Sequence, residues 1–289
     1  MIRKCTKNEL EQAVDLAFKM NNKKEHYSTF CPLSRDSIHR EFELAINSSE
    51  YIVAANFKGN QLTGLLLCYL DMEKRNGDCI GPFIDTAKEN YLLLATQLFE
   101  FIKSQVYVEM KYTFSFAKEN VACINFLESI NADRRVNEYN LLLERESFVP
   151  YLNTVEINNL ARDYYNQFIQ LHDSIFPGVY ISGKDIIEDI NKNVFVFSII
   201  EEGGLVAYSV LRLYENSKTA IAEIIGVDEE YRGKGYGKAI LNHLIEYSFS
   251  NYDIEEIELI VDGDNETAIS LYKSLGFAVN AENCCYIGK

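Results

Sequence analysis

The chain has 289 residues, of which 47% are hydrophobic and 25% charged, and its formal net charge is -15. This is the balance of a globular protein, long enough for one large domain or two ordinary ones, with a core that needs no metal or disulfide to hold it. The acidic balance argues against a nucleic-acid or anionic-membrane partner and is compatible with a cationic substrate. The start, MIRKCTKNELEQ, is polar and charged, so no signal peptide is expected, and apolar runs such as GLLLCYL are too short to span a membrane. The 7 cysteines are odd in number and contain no CxxC, and the 4 histidines are scattered. A disulfide framework and a metal site are therefore not expected, and a reducing cytoplasm fits best.

Taken in chain order, each half reads as helix, helix, hairpin, strand, helix, strand, helix, then a final strand or two. The class is α/β (α+β), a mixed central sheet flanked by helices. In the first half, YIVAANFKGNQLTGLLLCYL is a hairpin, YTFSFA a strand, NVACINFLESINA a helix and EYNLLLERE a strand. In the second half, residues 156–173 are expected to be helical, and SGKD from Ser182 has the form of a capping box that opens a short helix. NVFVFSII and LVAYSVLRLY are strands joined by EEGG, and TAIAEIIGV is another. Ile240, Leu241, Leu244 and Ile245 form an apolar stripe at helical spacing. IEEIELIV is a strand, and NETAISLYKSLG a helix that stops at Gly276.

Two stretches echo each other half a chain apart. Asn120, Ile124 and Ser129 of NVACINFLESINA correspond to Asn265, Ile269 and Ser274 of NETAISLYKSLGF, and the two hairpins match at nearly the same offset. Duplication accounts for both, with chance similarity between two strand-then-helix units as the rival reading. The boundary falls near ERESFVPYLNT, which gives domains of residues 1–146 and 147–289.

Between a predicted strand and a predicted helix lies VDEEYRGKGYGKAI, where Arg232, Lys234 and Lys238 alternate with Gly233, Gly235 and Gly237. Unpaired amides at a helix start carry the positive end of the helix dipole, and three cations add to them, so the stretch is suited to an anion. It is not a P-loop, because Ala239 follows Lys238, and it is not GxGxxG, because Lys238 stands at the last glycine. What remains is R-x-x-G-x-G, from Arg232 to Gly237. Taken alone, it is also compatible with a flexible surface turn carrying solvated cations.

Together, IIGVDEEYRGKGYGKAIL and NETAISLYKSLGF resemble the acetyl-coenzyme A motifs of the GNAT superfamily of N-acetyltransferases. The resemblance is clear over roughly residues 190–280. The first half resembles a degenerate copy: its strand-to-helix crossing lacks R-x-x-G-x-G, Leu127 stands for Tyr272, and Asn131 and Ala132 stand for Gly276 and Phe277. Two GNAT-like domains, the first degenerate, are similar in layout to mycothiol synthase.

The resemblance implies acetyl-coenzyme A as acyl donor and no metal. Arg232, Gly233, Lys234, Gly235, Gly237 and Lys238 would hold the pyrophosphate, the backbone at Ile225 and Val227 the pantetheine arm where adjacent strands splay, and Asn265 a pantetheine hydrogen bond. Tyr272 would protonate the leaving thiolate; without the motif it would read as a core tyrosine. Glu223 shares by alternation a face with Ile221, Ile225 and Val227, and a carboxylate there is costly unless wet, paired or functional. It is a candidate base or amine-binding group, with a partly solvated strand end as the rival reading and a water chain as the alternative base. Phe176 and Tyr180 of IFPGVYISG could line the acceptor pocket, or belong to ordinary loop packing. Cys284 and Cys285 are expected to be buried thiols of a terminal strand.

The expectation is thus an acetyl-coenzyme A dependent N-acetyltransferase that acts on a small-molecule amine. The alternatives are a protein or peptide N-acetyltransferase and a non-catalytic acyl-coenzyme A sensor.

Overall fold

The structure, a computed structural model, describes every residue except 153, 178, 180, 215 and 216. In the first half the order is β1 (Ile2–Lys4), α1 (Leu10–Asn21), α2 (Arg35–Asn47), β2 (Tyr51–Lys58), β3 (Gln61–Asp71), β4 (Asn76–Ile84), α3 (Tyr91–Ser104), β5 (Lys111–Ala117), α4 (Val121–Ser129), β6 (Asp133–Arg134) and β7 (Glu138–Glu144). The second half continues with β8 (Asn158–Asn159), α5 (Tyr165–Ile175), α6 (Gly183–Asp189), β9 (Val194–Glu201), β10 (Gly204–Leu213), β11 (Thr219–Val227), α7 (Tyr236–Asn251), β12 (Glu256–Asp262), α8 (Glu266–Lys273) and β13 (Ala278–Gly288). Residues 156–173, expected as one helix, divide into β8, a 3-10 turn at Arg162–Tyr164 and α5. Only the second part of the stretch is α-helical.

The chain forms two compact units, Met1–Glu138 with Ala281–Lys289, and Tyr139–Asn280. In the first, β1 to β5 follow one another in the sheet and the end of β13 lies beside β5. In the second, the order is β7-β12-β11-β10-β9-β8. In the first unit β1 to β4 pair antiparallel and β4 with β5 parallel; in the second β8 to β11 pair antiparallel and β11 with β12 parallel, and each parallel pair is joined by a crossover helix, α3 or α7. The sequence-based division at 146/147 assigns β7 to the first half and β13 to the second. In the structure most of β7 belongs to the second unit, and β13 from Ala281 onward to the first, so the two repeats exchange their last strands.

Each sheet is covered on both faces, so its central strands are apolar throughout. In the first unit, α1 and α2 close one face with Val14, Ala17, Ile38 and Phe42, and α3 and α4 the other with Leu98, Phe99, Ile102 and Phe126. In the second, α7 and α8 supply Ile240, Leu241, Leu244 and Tyr272 to one core, and α5 and α6 supply Phe168 and Ile186 to the other. The repeated Asn has the same structural task in both: Asn120 Oδ1 accepts from the Cys123 amide at 3.2 Å and Asn265 Oδ1 from the Ala268 amide at 3.1 Å, capping α4 and α8. The helix stops match as well. Gly276 has φ +96°, and Asn131 at the corresponding place has φ +52°; asparagine is the side chain that best tolerates this region. Cys284 and Cys285 are buried in β13.

One buried polar pair ties the helices to the sheet in the second unit. On α5, His172 is fully buried, with Nδ1 2.9 Å from the Tyr208 hydroxyl of β10 and Nε2 3.0 Å from the Ile181 carbonyl just before α6. A carbonyl only accepts, so Nε2 carries the proton and Nδ1 accepts from Tyr208. The Tyr208 ring occupies the space left by Gly226 on β11: a Cβ there would lie 2.5 Å from ring carbons. Gly226→Ala should therefore displace Tyr208 and lower unfolding free energy by about 1–3 kcal/mol, read from urea denaturation; unchanged stability would show that the ring is not held as described.

Candidate active site

The ladder between β11 and β12 is short. It runs from Thr219 opposite Glu256 to Ile221 opposite Glu258, while β11 continues to Val227 and β12 to Asp262. Beyond Ile221 the strands part, and among the described residues no ladder pair joins residues 222–227 to β12. A bulge lies at the point of divergence: Leu211 pairs with Ala222 and Val210 with Ile224, so Glu223 is the extra residue. A bulge bends its strand and increases its twist, which turns β11 away from its neighbour.

The bulge also overturns the strict alternation expected for this strand. Ala222 packs in the α7–α8 core, Ile224 in the α5–α6 core, and Ile225 and Val227 against the α7–α8 core again. The inward face therefore switches at Glu223, and the expected shared face with Ile225 and Val227 is not present. Glu223 instead meets Arg212 of β10, whose Nε donates to both carboxylate oxygens at 2.9 and 3.0 Å. Arg212 reaches Asp189 of α6 with Nη1 at 3.4 Å. The Glu223 side chain is only 8% exposed, so pairing meets the cost of burying its charge. Arg212 escaped the sequence reading. The signal was one cation in the otherwise apolar LVAYSVLRLY, on the strand that flanks Glu223.

After β11 the chain makes a 3-10 turn at Glu229–Tyr231, with Asp228 accepting from the Glu230 amide at 2.9 Å. Gly233 and Gly235 follow with φ of +78° and +87°, where a side chain would be strained, and a Cβ built on either meets no atom within 4 Å. Gly235 is the residue before α7 and gives it no side-chain cap. Among the described residues, no acceptor is recorded for the amides from Gly233 to Lys238. The cations flank this row. Arg232 Nε donates to the Val227 carbonyl at 3.2 Å, the Lys234 ammonium lies 4.2 Å from the Tyr231 ring centre, and that of Lys238 lies 5.2 Å from the Tyr151 ring centre. Tyr236 donates its hydroxyl proton to Glu201 at 2.9 Å, a second contact missed in the sequence.

Gly237 brings the pieces together. Its absent side chain admits Leu271 of α8 to 3.4 Å and Val227 of β11 to 3.6 Å of the Cβ position. The splayed strand end, the glycine loop and the turn of α8 that carries Tyr272 thus meet at one point. Tyr272 is 8% exposed, with its ring 6.1 Å from that of Phe277, and burial pushes its phenol up to about 12. Its hydroxyl has no hydrogen-bond partner among the described residues. Asn265 uses Oδ1 to cap α8, which leaves its Nδ2 as the available donor. Phe176 ends α5 half-buried, 5.7 Å from the His172 ring, and packs on the α5–α6 core; Tyr180 lies outside the described residues.

Among the described residues, no group of three or more His, Cys, Asp or Glu could hold a metal ion, and no helix is long and apolar enough to cross a membrane.

The profile described as Acetyltransferase (GNAT) family matches residues 149–277. The spermine/spermidine N(1)-acetyltransferase of Bacillus subtilis (strain 168) is 30% identical over 45% of this chain and 91% of its own length. The spermidine N(1)-acetyltransferase of Escherichia coli (strain K12) is 29% identical over 48% of this chain and 72% of its own. A tandem GNAT protein from the clavulanic acid biosynthesis pathway shares the fold over 100% of this chain and 98% of its own, with TM-score 0.74 and 11% identity. Motif pair, double fold and relatives agree: the chain belongs to the GNAT family of acetyltransferases, as a tandem N-acetyltransferase.

Proposed function

We propose that the second unit transfers the acetyl group of acetyl-coenzyme A to a primary amine of a small molecule. The observation that carries this reading is the continuous feature formed by the open edge of β11 and the uncapped glycine loop at α7. The donor set fits the cofactor. A row of amides beside Arg232, Lys234 and Lys238 suits a pyrophosphate, and glycines with open space beside them let it approach the backbone. A strand edge that has no strand partner among the described residues suits an arm that carries its own amides.

Bound there, acetyl-coenzyme A supplies an acyl group activated as a thioester. The chain's residues have three tasks. The loop and the edge of β11 orient the donor, and Asn265 Nδ2 can add one hydrogen bond to it. Tyr272 holds a proton on its hydroxyl through the physiological range, because burial disfavours the phenolate. As the amine nitrogen bonds to the acyl carbon and the carbon–sulfur bond breaks, that proton passes to the leaving sulfur, the nitrogen gives up one proton to water, and the phenolate regains one from water. Glu223 serves the acceptor side. Arg212 engages both carboxylate oxygens, which fixes the carboxylate in place and suits it to orienting a cationic amine. This favours amine binding over proton abstraction for Glu223. The net charge of -15 and the polyamine acceptors named for the two relatives support a small cationic acceptor.

Thiol release from acetyl-coenzyme A should depend on one class of amine in a panel of amines, amino acids, polyamines and peptides. Tyr272→Phe should lower kcat by about 10²–10⁴-fold with little change in KM for the donor. Glu223→Gln should raise KM for the amine more than it lowers kcat. Cofactor binding without release for any acceptor would favour a sensor, and release that requires a peptide would favour a protein acceptor.

The phenol bears on the pH profile. With its pKa near 12, Tyr272 stays protonated at all lower pH, while the free amine becomes more abundant as pH rises. The rate should climb with pH and show no alkaline fall up to about pH 10, near an ordinary tyrosine. A fall at lower pH that disappears in Tyr272→Phe would contradict a buried acid.

A further inference from the structure

The first unit repeats the divergence of the second and fills it from within. The ladder of β4 with β5 ends at Cys79 opposite Phe114, and both strands run on, to Ile84 and Ala117. In that gap lies the segment Tyr27–Thr29. The Thr29 amide donates to the Ser115 carbonyl at 2.9 Å and the Ala117 amide to the Tyr27 carbonyl at 3.3 Å, which makes an antiparallel bridge of Ser28 with Phe116. On the other side, the Gly81 amide of β4 donates to Ser28 Oγ at 3.1 Å. The segment therefore bonds to both diverging strands. It is also anchored from behind: the Ser28 amide donates to Oδ1 of the buried Asn21 at 2.8 Å, and Asn21 Nδ2 donates to the Cys31 carbonyl at 3.0 Å. Ser28 is 1% exposed.

Three further details separate the units. Asn120, the counterpart of Asn265, donates its Nδ2 to the Tyr27 carbonyl at 3.5 Å, whereas Asn265 Nδ2 is unengaged among the described residues. α3 begins with a side-chain cap, Asn90 Oδ1 accepting from the Leu93 amide at 3.0 Å, whereas α7 begins at Gly235 with none. The connection that supplies the segment, Asn22 to Ser34, is nearly twice as long as Phe176 to Ser182 in the second unit.

Polar backbone groups on a splayed buried edge must be satisfied by something. Resting on the function proposed above, we propose that Tyr27–Thr29 occupies in the first unit the place that the second unit gives to the amide-bearing arm of its acyl donor. The first unit is then a self-filled copy that takes up no acyl-coenzyme A, and the chain binds one molecule of it.

The test joins two measurements on the intact protein: calorimetric titration with acetyl-coenzyme A, and residue-resolved amide hydrogen exchange with and without it. One molecule should bind per chain, and the amides of Thr29, Gly81 and Ala117 should exchange slowly to the same degree in both states. Two molecules per chain, or loss of protection at Thr29 and Ala117 on binding, would overturn the inference. So would fast exchange of these amides in the free protein. Slow exchange there with no binding at all would uphold the filled cleft and sink the reading of the glycine loop instead.

Discussion

Two parallel strands that part halfway along leave a row of backbone donors and acceptors inside a folded protein, and those groups need partners. Both units contain such a pair, and what each does with it differs. In the first, the chain supplies Tyr27–Thr29 and closes the row with its own hydrogen bonds. In the second, the edge of β11 past Ile221 has no strand partner among the described residues and leads to a helix that begins on glycine without a side-chain cap. The bulge at Glu223 stands at the start of this opening, where it bends β11 and reverses its inward face. The same bend leaves Glu223 beside Arg212, on the strand whose Tyr208 bonds the histidine that links α5 to α6.

Much of this was legible from residue types. The glycines could be read because positive φ and close approach leave few alternatives: Gly233 and Gly235 adopt the first, and Gly237 provides the second. Asn120 and Asn265 could be read as a repeat because capping demands a short acceptor side chain at a fixed offset. Tyr272 was legible only with its motif, since position alone makes it one of several apolar residues on α8. Its burial fits that ordinary role as well as the proposed one.

Other features were hidden for physical reasons. Period-two alternation presupposes an unbroken ladder, and a bulge changes the face without changing the composition, so Glu223 was placed with the wrong neighbours. Arg212 finds Glu223 through pairing register, which sequence spacing does not reveal. The exchange of β7 and β13 was out of reach because both strands follow equivalent helices in equivalent repeats. The residue types of neither strand say which sheet it completes. The filled cleft depended on the length of the α1–α2 connection and on one buried asparagine, Asn21, in a segment without a motif.

A crystal structure of the protein grown with coenzyme A would test the central claim most directly. The arm is expected between β11 and β12 beyond Ile221, with the pyrophosphate at the amides of Gly233 to Lys238 and Tyr27–Thr29 unmoved. Coenzyme A lodged beside β4 and β5, or bound away from the glycine loop, would contradict it.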